Sequence, residues 1–254
     1  MTVPRTSPRT GRVTAAAACA LLLLATAATG CDSAPKTEGS RPTARPAPAD
    51  AAGNRIGALF VDGTDGLRAC TAGVVHSRGH NLLITAAHCA APRGTALDDL
   101  VFAPGYRDQQ APYGSWQVSE VLFDPRWGTD EDEGYDVAFL VVAPLNGRQI
   151  EDVVGADTVA TGLGFGLNVT VTGYPNSAGS PITCQGRTTS RSATQQRFDC
   201  AGFTDGTSGS PWVTDKGQVV GVIGGYQQGG ISPEISYSVA FGDRLAALYR
   251  QAGG

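Results

Sequence analysis

The chain has 254 residues, of which 41% are apolar and 17% charged, with 34 Gly and 15 Pro. This suits one large all-β domain or two small packed barrels, cut into short segments by turn-forming residues. The formal net charge is −4 and there is no basic block, which excludes the electrostatic footprint of a nucleic-acid-binding protein.

Residues 1–30 differ from the rest. Arg5, Arg9 and Arg12 precede an apolar stretch from Val13 to Ala28 with four leucines at its centre. The pattern predicts an export signal, too short for an ordinary membrane span. Ala28-Thr29-Gly30-Cys31 resembles a bacterial lipoprotein signal, in which cleavage exposes Cys31 for lipidation. Ala28 departs from the Leu usual at that place, and simple cleavage with release is the alternative. The expected location is outside the cell, free or held on the outer face of a bacterial membrane by a lipid on Cys31. Beyond residue 30 the chain carries 16 basic and 23 acidic residues, a formal charge of −7. That reads as a solvated acidic surface.

Six cysteines occur in the chain. Cys19 falls in the export segment and Cys31 is the candidate lipid site. Cys70, Cys89, Cys184 and Cys200 remain, with three possible pairings. Export permits disulfides. Local pairing would close two short loops, each bridge contributing about 3 kcal/mol in the chain-entropy model. Their spacing lacks the close pairs of a zinc site.

Residues 31–53, rich in Pro, Ala, Thr and Ser, predict an extended linker without apolar period. A folded domain is expected over 54–250. Strands are predicted at Ile56–Val61, Ala69–Val75, Asn81–Thr85, Trp116–Phe123, Val137–Val142, Val169–Tyr174, Gln218–Tyr226 and Ile235–Val239. The stretch 147–161 reads as a connection between halves. Phe241, Leu245, Leu248 and Tyr249 recur at helical spacing and predict a short C-terminal helix. Short strands broken by Gly, Pro and Asp favour an all-β sandwich or barrel.

Three separated segments carry chemistry. Thr85-Ala86-Ala87-His88-Cys89 follows the apolar Leu82-Leu83-Ile84, so His88 sits at the end of a buried strand with a ring suited to proton exchange. Tyr135-Asp136-Val137-Ala138 places a carboxylate at the entrance of another apolar strand, where it can fix a histidine tautomer. Gly206-Thr207-Ser208-Gly209-Ser210-Pro211 is a small-residue loop that lets a substrate approach a hydroxyl. The N–H groups of Gly206 and Ser208 are candidate donors to an oxygen that gains charge. His76 and His80 read as surface residues. The run Asp130-Glu131-Asp132-Glu133 reads as a solvated loop rather than a calcium site.

Together these segments resemble the trypsin- and chymotrypsin-like serine protease family, over roughly residues 54–250. The order His88, Asp136, Ser208 agrees with that family. The resemblance implies a chymotrypsin-like double antiparallel β-barrel of two six-stranded barrels with the site between them. It implies Ser208 as nucleophile, His88 as general base then acid, and Asp136 as its orienting partner. It supports a Cys70–Cys89 bridge beside His88, and Cys184–Cys200 by proximity. A polypeptide is the implied substrate, and neither cofactor nor catalytic metal is needed.

The family comparison also places Gly202, Phe203 and Thr204, and Gly224, Gly225 and Tyr226, along the specificity pocket. Gly202 stands where a trypsin-type enzyme has Asp, so a Lys/Arg preference is not expected; small or apolar side chains are. Thr207 replaces the Asp that pairs with a new N-terminus in animal-type members. The absence of an Ile-Val-Gly-Gly start points the same way, toward bacterial, glutamyl-endopeptidase-like members. The competing readings are a noncatalytic binding module on this fold and an esterase. An α/β-hydrolase does not fit, because His precedes Ser in the chain.

Overall fold

The computed structural model describes residues 41–254. The export-type segment and Cys31 lie outside the described residues. No helix among the described residues is long and apolar enough to cross a membrane.

The first strand, β1 (Arg45–Pro46), pairs far along the chain. Six strands follow: β2 (Ile56–Val61), β3 (Leu67–Val75), β4 (Leu82–Thr85), β5 (Leu100–Pro104), β6 (Trp116–Phe123) and β7 (Ala138–Val142). They close into a barrel in the order β2-β3-β4-β7-β6-β5, every neighbouring pair antiparallel. Side chains alternate across the pleat. Leu83, Ala138, Leu140 and Val142 point into the barrel beside Leu59, Phe102 and Trp116. Leu82, Ile84 and Phe139 face the opposite way, against Val219, Val222, Leu245 and Leu248. Burial on both faces is why β4 and β7 are continuous apolar runs rather than alternating ones.

The second half holds β8 (Thr158–Val159), β9 (Asn168–Gly173), β10 (Ile182–Arg187), β11 (Thr189–Ser190), β12 (Gln195–Asp199), β13 (Pro211–Thr214), β14 (Gln218–Val222) and β15 (Ile235–Val239). They form a six-stranded sheet, β1-β10-β9-β13-β14-β8, and a three-stranded sheet, β11-β12-β15. Val171, Phe198, Trp212 and Val220 from the two sheets share one core. The double-barrel expectation holds, with two differences in the second half. Strands β14 and β8 pair in parallel. The first barrel closes through hydrogen bonds, whereas the second encloses its core between two sheets. Among the described residues there are four short α-helices: α1 (Ala87–Ala90), α2 (Pro125–Asp130), α3 (Ile150–Val154) and α4 (Asp243–Gln251). The last buries Leu245 and Leu248, as its spacing predicts.

Among the described residues two disulfides form, Cys70–Cys89 and Cys184–Cys200, the local pairing of the three, as an oxidising compartment allows.

The structure departs from the sequence reading in several regions, among them β5, β8, β11 and β13, where no strand was expected. Strands β10 and β12 were not expected, because Ile-Thr-Cys-Gln-Gly-Arg and Gln-Gln-Arg-Phe-Asp carry no apolar period. Gln195 and Gln196 are nevertheless buried, at 7% and 2% exposure, with their amides hydrogen-bonded. The strand expected over 218–226 stops at Val222. Last, the end of the expected linker is docked. Arg45 and Pro46 pair with Thr183 and Ile182, Ala47 N–H donates to Pro181 O at 2.9 Å, and Ala44 N–H donates to Ala201 O at 2.7 Å. Main-chain groups suffice for such pairing, so no apolar pattern betrays it.

Candidate active site

Strands β4 and β7 are antiparallel neighbours, with Thr85 opposite Ala138. The end of one therefore lies beside the start of the other, which brings His88 and Asp136 to the same edge of the barrel. His88 lies within α1, next to Cys89 and its bridge to Cys70. Asp136 follows a short 3-10 turn, Glu133–Tyr135, capped by the Asp132 side chain, which accepts Gly134 N–H at 2.8 Å.

The Asp136 carboxylate is fully buried and meets three donors. Oδ1 accepts His88 N–H at 2.9 Å. Oδ2 lies 2.8 Å from His88 Nδ1 and 2.8 Å from the N–H of Gly225. A buried carboxylate needs such partners. It holds the imidazole with Nδ1 as donor, leaving Nε2 the acceptor of the neutral ring. The His88 side chain is 14% exposed.

The Ser208 loop is pinned to the same barrel through Thr71. Thr71 N–H donates to Ser208 O at 2.8 Å, its hydroxyl donates to Gly206 O at 2.9 Å, and its carbonyl accepts the Thr85 hydroxyl at 2.8 Å. Gly209, at φ 81°, sits so close that a Cβ there would strike Thr85 Oγ1 and Thr71 O and lie 3.2 Å from Ala86 N. The loop thus abuts the residues leading into His88. Among the described residues no hydrogen bond joins the half-buried Ser208 hydroxyl to His88. Catalytic hydrogen bonds commonly tighten only when substrate binds.

Two features separate Ser208 from its neighbours. The Ser210 hydroxyl is fully buried and donates to Thr207 O at 2.6 Å, so it is committed. The amides of Thr207, Gly209 and Ser210 donate to Thr204 O, Ile223 O and Thr207 O. Those of Gly206 and Ser208 have no acceptor among the described residues. Gly206 has φ 93°, and a Cβ would collide with Asn176 and Tyr174; only glycine fits that close a backbone approach. Buried Thr207, 2% exposed, turns its hydroxyl to Thr204 O at 2.7 Å, where an acid would need a cation.

The donor atoms of Cys70, His88 and Cys89 lie within 4.8 Å of one another. Both sulfurs belong to the disulfide, so they offer no thiolate to a metal.

The model of the trypsin-like peptidase domain matches residues 70–222, a span holding His88, Asp136 and Ser208. The chain belongs to the trypsin-like peptidase family. Among solved structures it is similar to the protease Anisep from Arthrobacter nicotinovorans, at 27% identity and TM-score 0.71, covering 81% of this chain and 98% of that one. It is also similar to the thermostable serine protease AL20 from an extremophilic microorganism, at 26% identity and TM-score 0.71, covering 80% and 99%. A Glu endopeptidase shares the fold at 18% identity and TM-score 0.70, covering 84% and 98%. A search of curated proteins gave no match.

In this trypsin-like peptidase the expected specificity residues separate into different roles. Gly202 is half-buried at φ 117°, facing Ala44 of the docked N-terminal segment. Phe203 was expected to border the pocket. Its ring instead packs into the second core, 6.2 Å from Phe198 and 6% exposed, because a bare phenyl gains most by leaving water. Thr204 is exposed, and its carbonyl receives the Thr207 hydroxyl and N–H. Gly224 approaches Ala86 and Asp136 too closely for a side chain without adjustment. Tyr226 stacks edge-on against Tyr237 at 5.0 Å, with the Arg191 guanidinium 4.2 Å over its ring.

The sequence reading missed Thr71, Glu133 and Gln195. Each acts by hydrogen-bonding main chain from a distant segment, and nothing in local pattern marks them. His76 and His80 remain at the surface, their Nδ1 atoms 2.6 Å from Glu151 and 2.7 Å from Asp152. A groove of about 590 Å³ is lined by Tyr135 and Val137, the neighbours of Asp136, and by Leu163, Phe165 and Phe241. Neither His88 nor Ser208 lines it.

Proposed function

We propose that this trypsin-like peptidase is a serine endopeptidase acting through Ser208, His88 and Asp136. The observation that carries the reading is the buried Asp136 carboxylate held 2.8 Å from His88 Nδ1, beside a loop whose one uncommitted hydroxyl among Ser208 and Ser210 is that of Ser208.

The chemistry follows from the placement. Ser208 Oγ attacks the carbonyl carbon of a bound peptide while His88 Nε2 takes its proton. Asp136 keeps Nδ1–H in position and stabilises the imidazolium. The carbonyl oxygen becomes an oxyanion and is met by the uncommitted N–H groups of Gly206 and Ser208. His88 then protonates the leaving amine, the C–N bond breaks, and an acyl-enzyme remains. Water, deprotonated by His88, attacks the ester carbon; the C–Oγ bond then breaks, His88 returns the proton to Ser208 Oγ, and the new carboxylate end of the peptide leaves.

Gly202 supplies no carboxylate near the pocket base, so preference falls on small or apolar side chains rather than Lys or Arg. A peptide-library digest measures this directly. The protein is exported, with Cys31 as the lipid site; mass spectrometry of the purified amino terminus reads the modification.

The test of the enzyme reading is stoichiometric reaction of the folded protein with a serine-directed acylating label, together with peptide cleavage. Both are lost in Ser208→Ala with folding intact. Equal cleavage by wild type and Ser208→Ala overturns the assignment. Absence of labelling and cleavage in folded wild type favours the noncatalytic binding module instead.

A further inference from the structure

The segment after β14 is dense in left-handed backbone. Gly225 has φ 76°, Gln227 and Gln228 lie at φ 52° and 51°, and Gly229 and Gly230 at φ 104° and 119°. Two ordinary side chains in succession thus occupy the left-handed region, which L-residues enter only under constraint.

The constraint is visible. Three consecutive amides are each captured by a side chain from elsewhere. Gly225 N–H donates to Asp136 Oδ2 at 2.8 Å, Tyr226 N–H to Gln195 Oε1 at 3.1 Å, and Gln227 N–H to Glu133 Oε1 at 2.7 Å. Gln195 closes the set by donating from Nε2 to Glu133 O at 3.0 Å. Gln195 is 7% exposed and Asp136 fully buried, so these acceptors are fixed by packing. Glu133 and Asp136 flank the same 3-10 turn. One rigid turn therefore orients the His88 ring from one end and holds Gln227 from the other.

We propose that Glu133, with Gln195, is a positioning residue for substrate recognition, and that it acts by holding residues 225–228 in a captured-amide wall beside Asp136. The proposal rests on the protease reading above and on Gly225 and Tyr226 lining the substrate site. It has a chemical consequence. An extended peptide that adds itself as a strand needs free N–H and C=O groups on the receiving edge. The N–H groups of Tyr226 and Gln227 are already spent, and the carbonyls of Gly225 and Gln227 accept the N–H groups of Gln228 and Gly230, so this wall meets a substrate chiefly with side chains. Glu133, like Asp132 with its cap on Gly134 N–H, has a defined task that the solvated-loop reading did not foresee.

The experiment compares wild type, Glu133→Ala and Glu133→Gln. Glutamine keeps an Oε1 acceptor without the charge. Glu133→Ala is expected to lower kcat/KM on a peptide substrate roughly tenfold, chiefly through KM, as loss of one charge-assisted hydrogen bond implies. Acylation of Ser208 by a small label that does not reach the wall should change by less than about threefold. Glu133→Gln should restore most of the loss. Hydrogen exchange over 223–230 should quicken in the alanine variant and stay near wild type in the glutamine variant. Unchanged peptide kinetics in Glu133→Ala, equal loss of labelling and cleavage, or equal behaviour of the two variants overturns the proposal. The exchange readout does not depend on activity. Slow exchange in wild type that quickens in Glu133→Ala, in a protein that neither labels nor cleaves, would sink the protease reading while leaving the latch standing. Identical exchange in all three proteins sinks the latch alone.

Discussion

The two halves of the molecule bring their groups to the site by different physics. His88 and Asp136 hang from adjacent strands of a hydrogen-bond-closed barrel, and buried side-chain contacts fix them. Ser208 and the 225–228 wall belong to the half without a closed ladder, where glycine conformations and captured amides do the fixing. A ladder tolerates side-chain change at its surface. A loop that depends on positive φ and close backbone approach tolerates almost none. The difference teaches that the barrel half is a scaffold carrying two side chains, whereas in the other half the backbone conformation itself sets the surroundings of one hydroxyl, that of Ser208.

The largest effect should come from the barrel half's chemistry. Asp136 faces three donors, and Asp136→Asn replaces one acceptor oxygen with an NH₂ that opposes them. By the trypsin-type triad, kcat should fall about 10⁴-fold; stopped or continuous peptide assays at neutral pH measure it. A fall under tenfold would break the view that this carboxylate orients His88.

Next comes the backbone half. Gly209→Ala adds a Cβ at φ 81° into Thr85 and Thr71. We expect a loss of about 3 kcal/mol or more, read by denaturant unfolding. A loss below about 1 kcal/mol would mean that the loop is free to shift and is not locked to β4.

The two bridges then compare the halves directly. Their sequence separations are 19 and 16 residues, so loop entropy alone predicts nearly equal losses of about 3 kcal/mol for each paired Cys→Ser variant. Activity should separate them. Loss of Cys70–Cys89 frees the residue next to His88 and should depress kcat beyond its effect on stability, whereas loss of Cys184–Cys200 should not.

The smallest effect lies at the surface of the barrel half. The hydrogen bond from Asp152 raises the His80 pKa above its ordinary 6.5, with Glu151 adding to it. A raised folded pKa means that the contribution is complete below the unfolded value and fades as pH rises through the folded one. Asp152→Asn should therefore lower Tm slightly at pH 5.5 and not at pH 8.5. A difference of the same size at both pH values would show that charge on His80 plays no part.

Legibility followed the same divide. His88 and Asp136 could be read because each adjoins a run buried on both faces, Leu82–Ile84 and Ala138–Val142, and such runs announce a core strand. The Ser208 loop announced itself by its small residues, and the family resemblance chose Ser208 over Ser210; the structure adds that Ser210 is buried and donates to Thr207 O. Phe203 was assigned to the pocket and lies in the core. Strands β10 and β12 gave no signal because their buried positions include polar residues whose hydrogen-bond partners lie on other strands. The docked residues 44–47 gave none because they pair through main chain and bury only the small side chains of Ala44 and Ala47.

Hydrophobic burial is encoded locally, in which residues are apolar and at what period, and so the amino-acid sequence by itself determined the β architecture, the C-terminal helix and the three segments that meet at the site. Hydrogen bonds between remote main-chain and side-chain groups are not encoded locally. Which serine hydroxyl is free, which amides are spent and which acidic residue holds the wall were therefore decided only once the chain was folded.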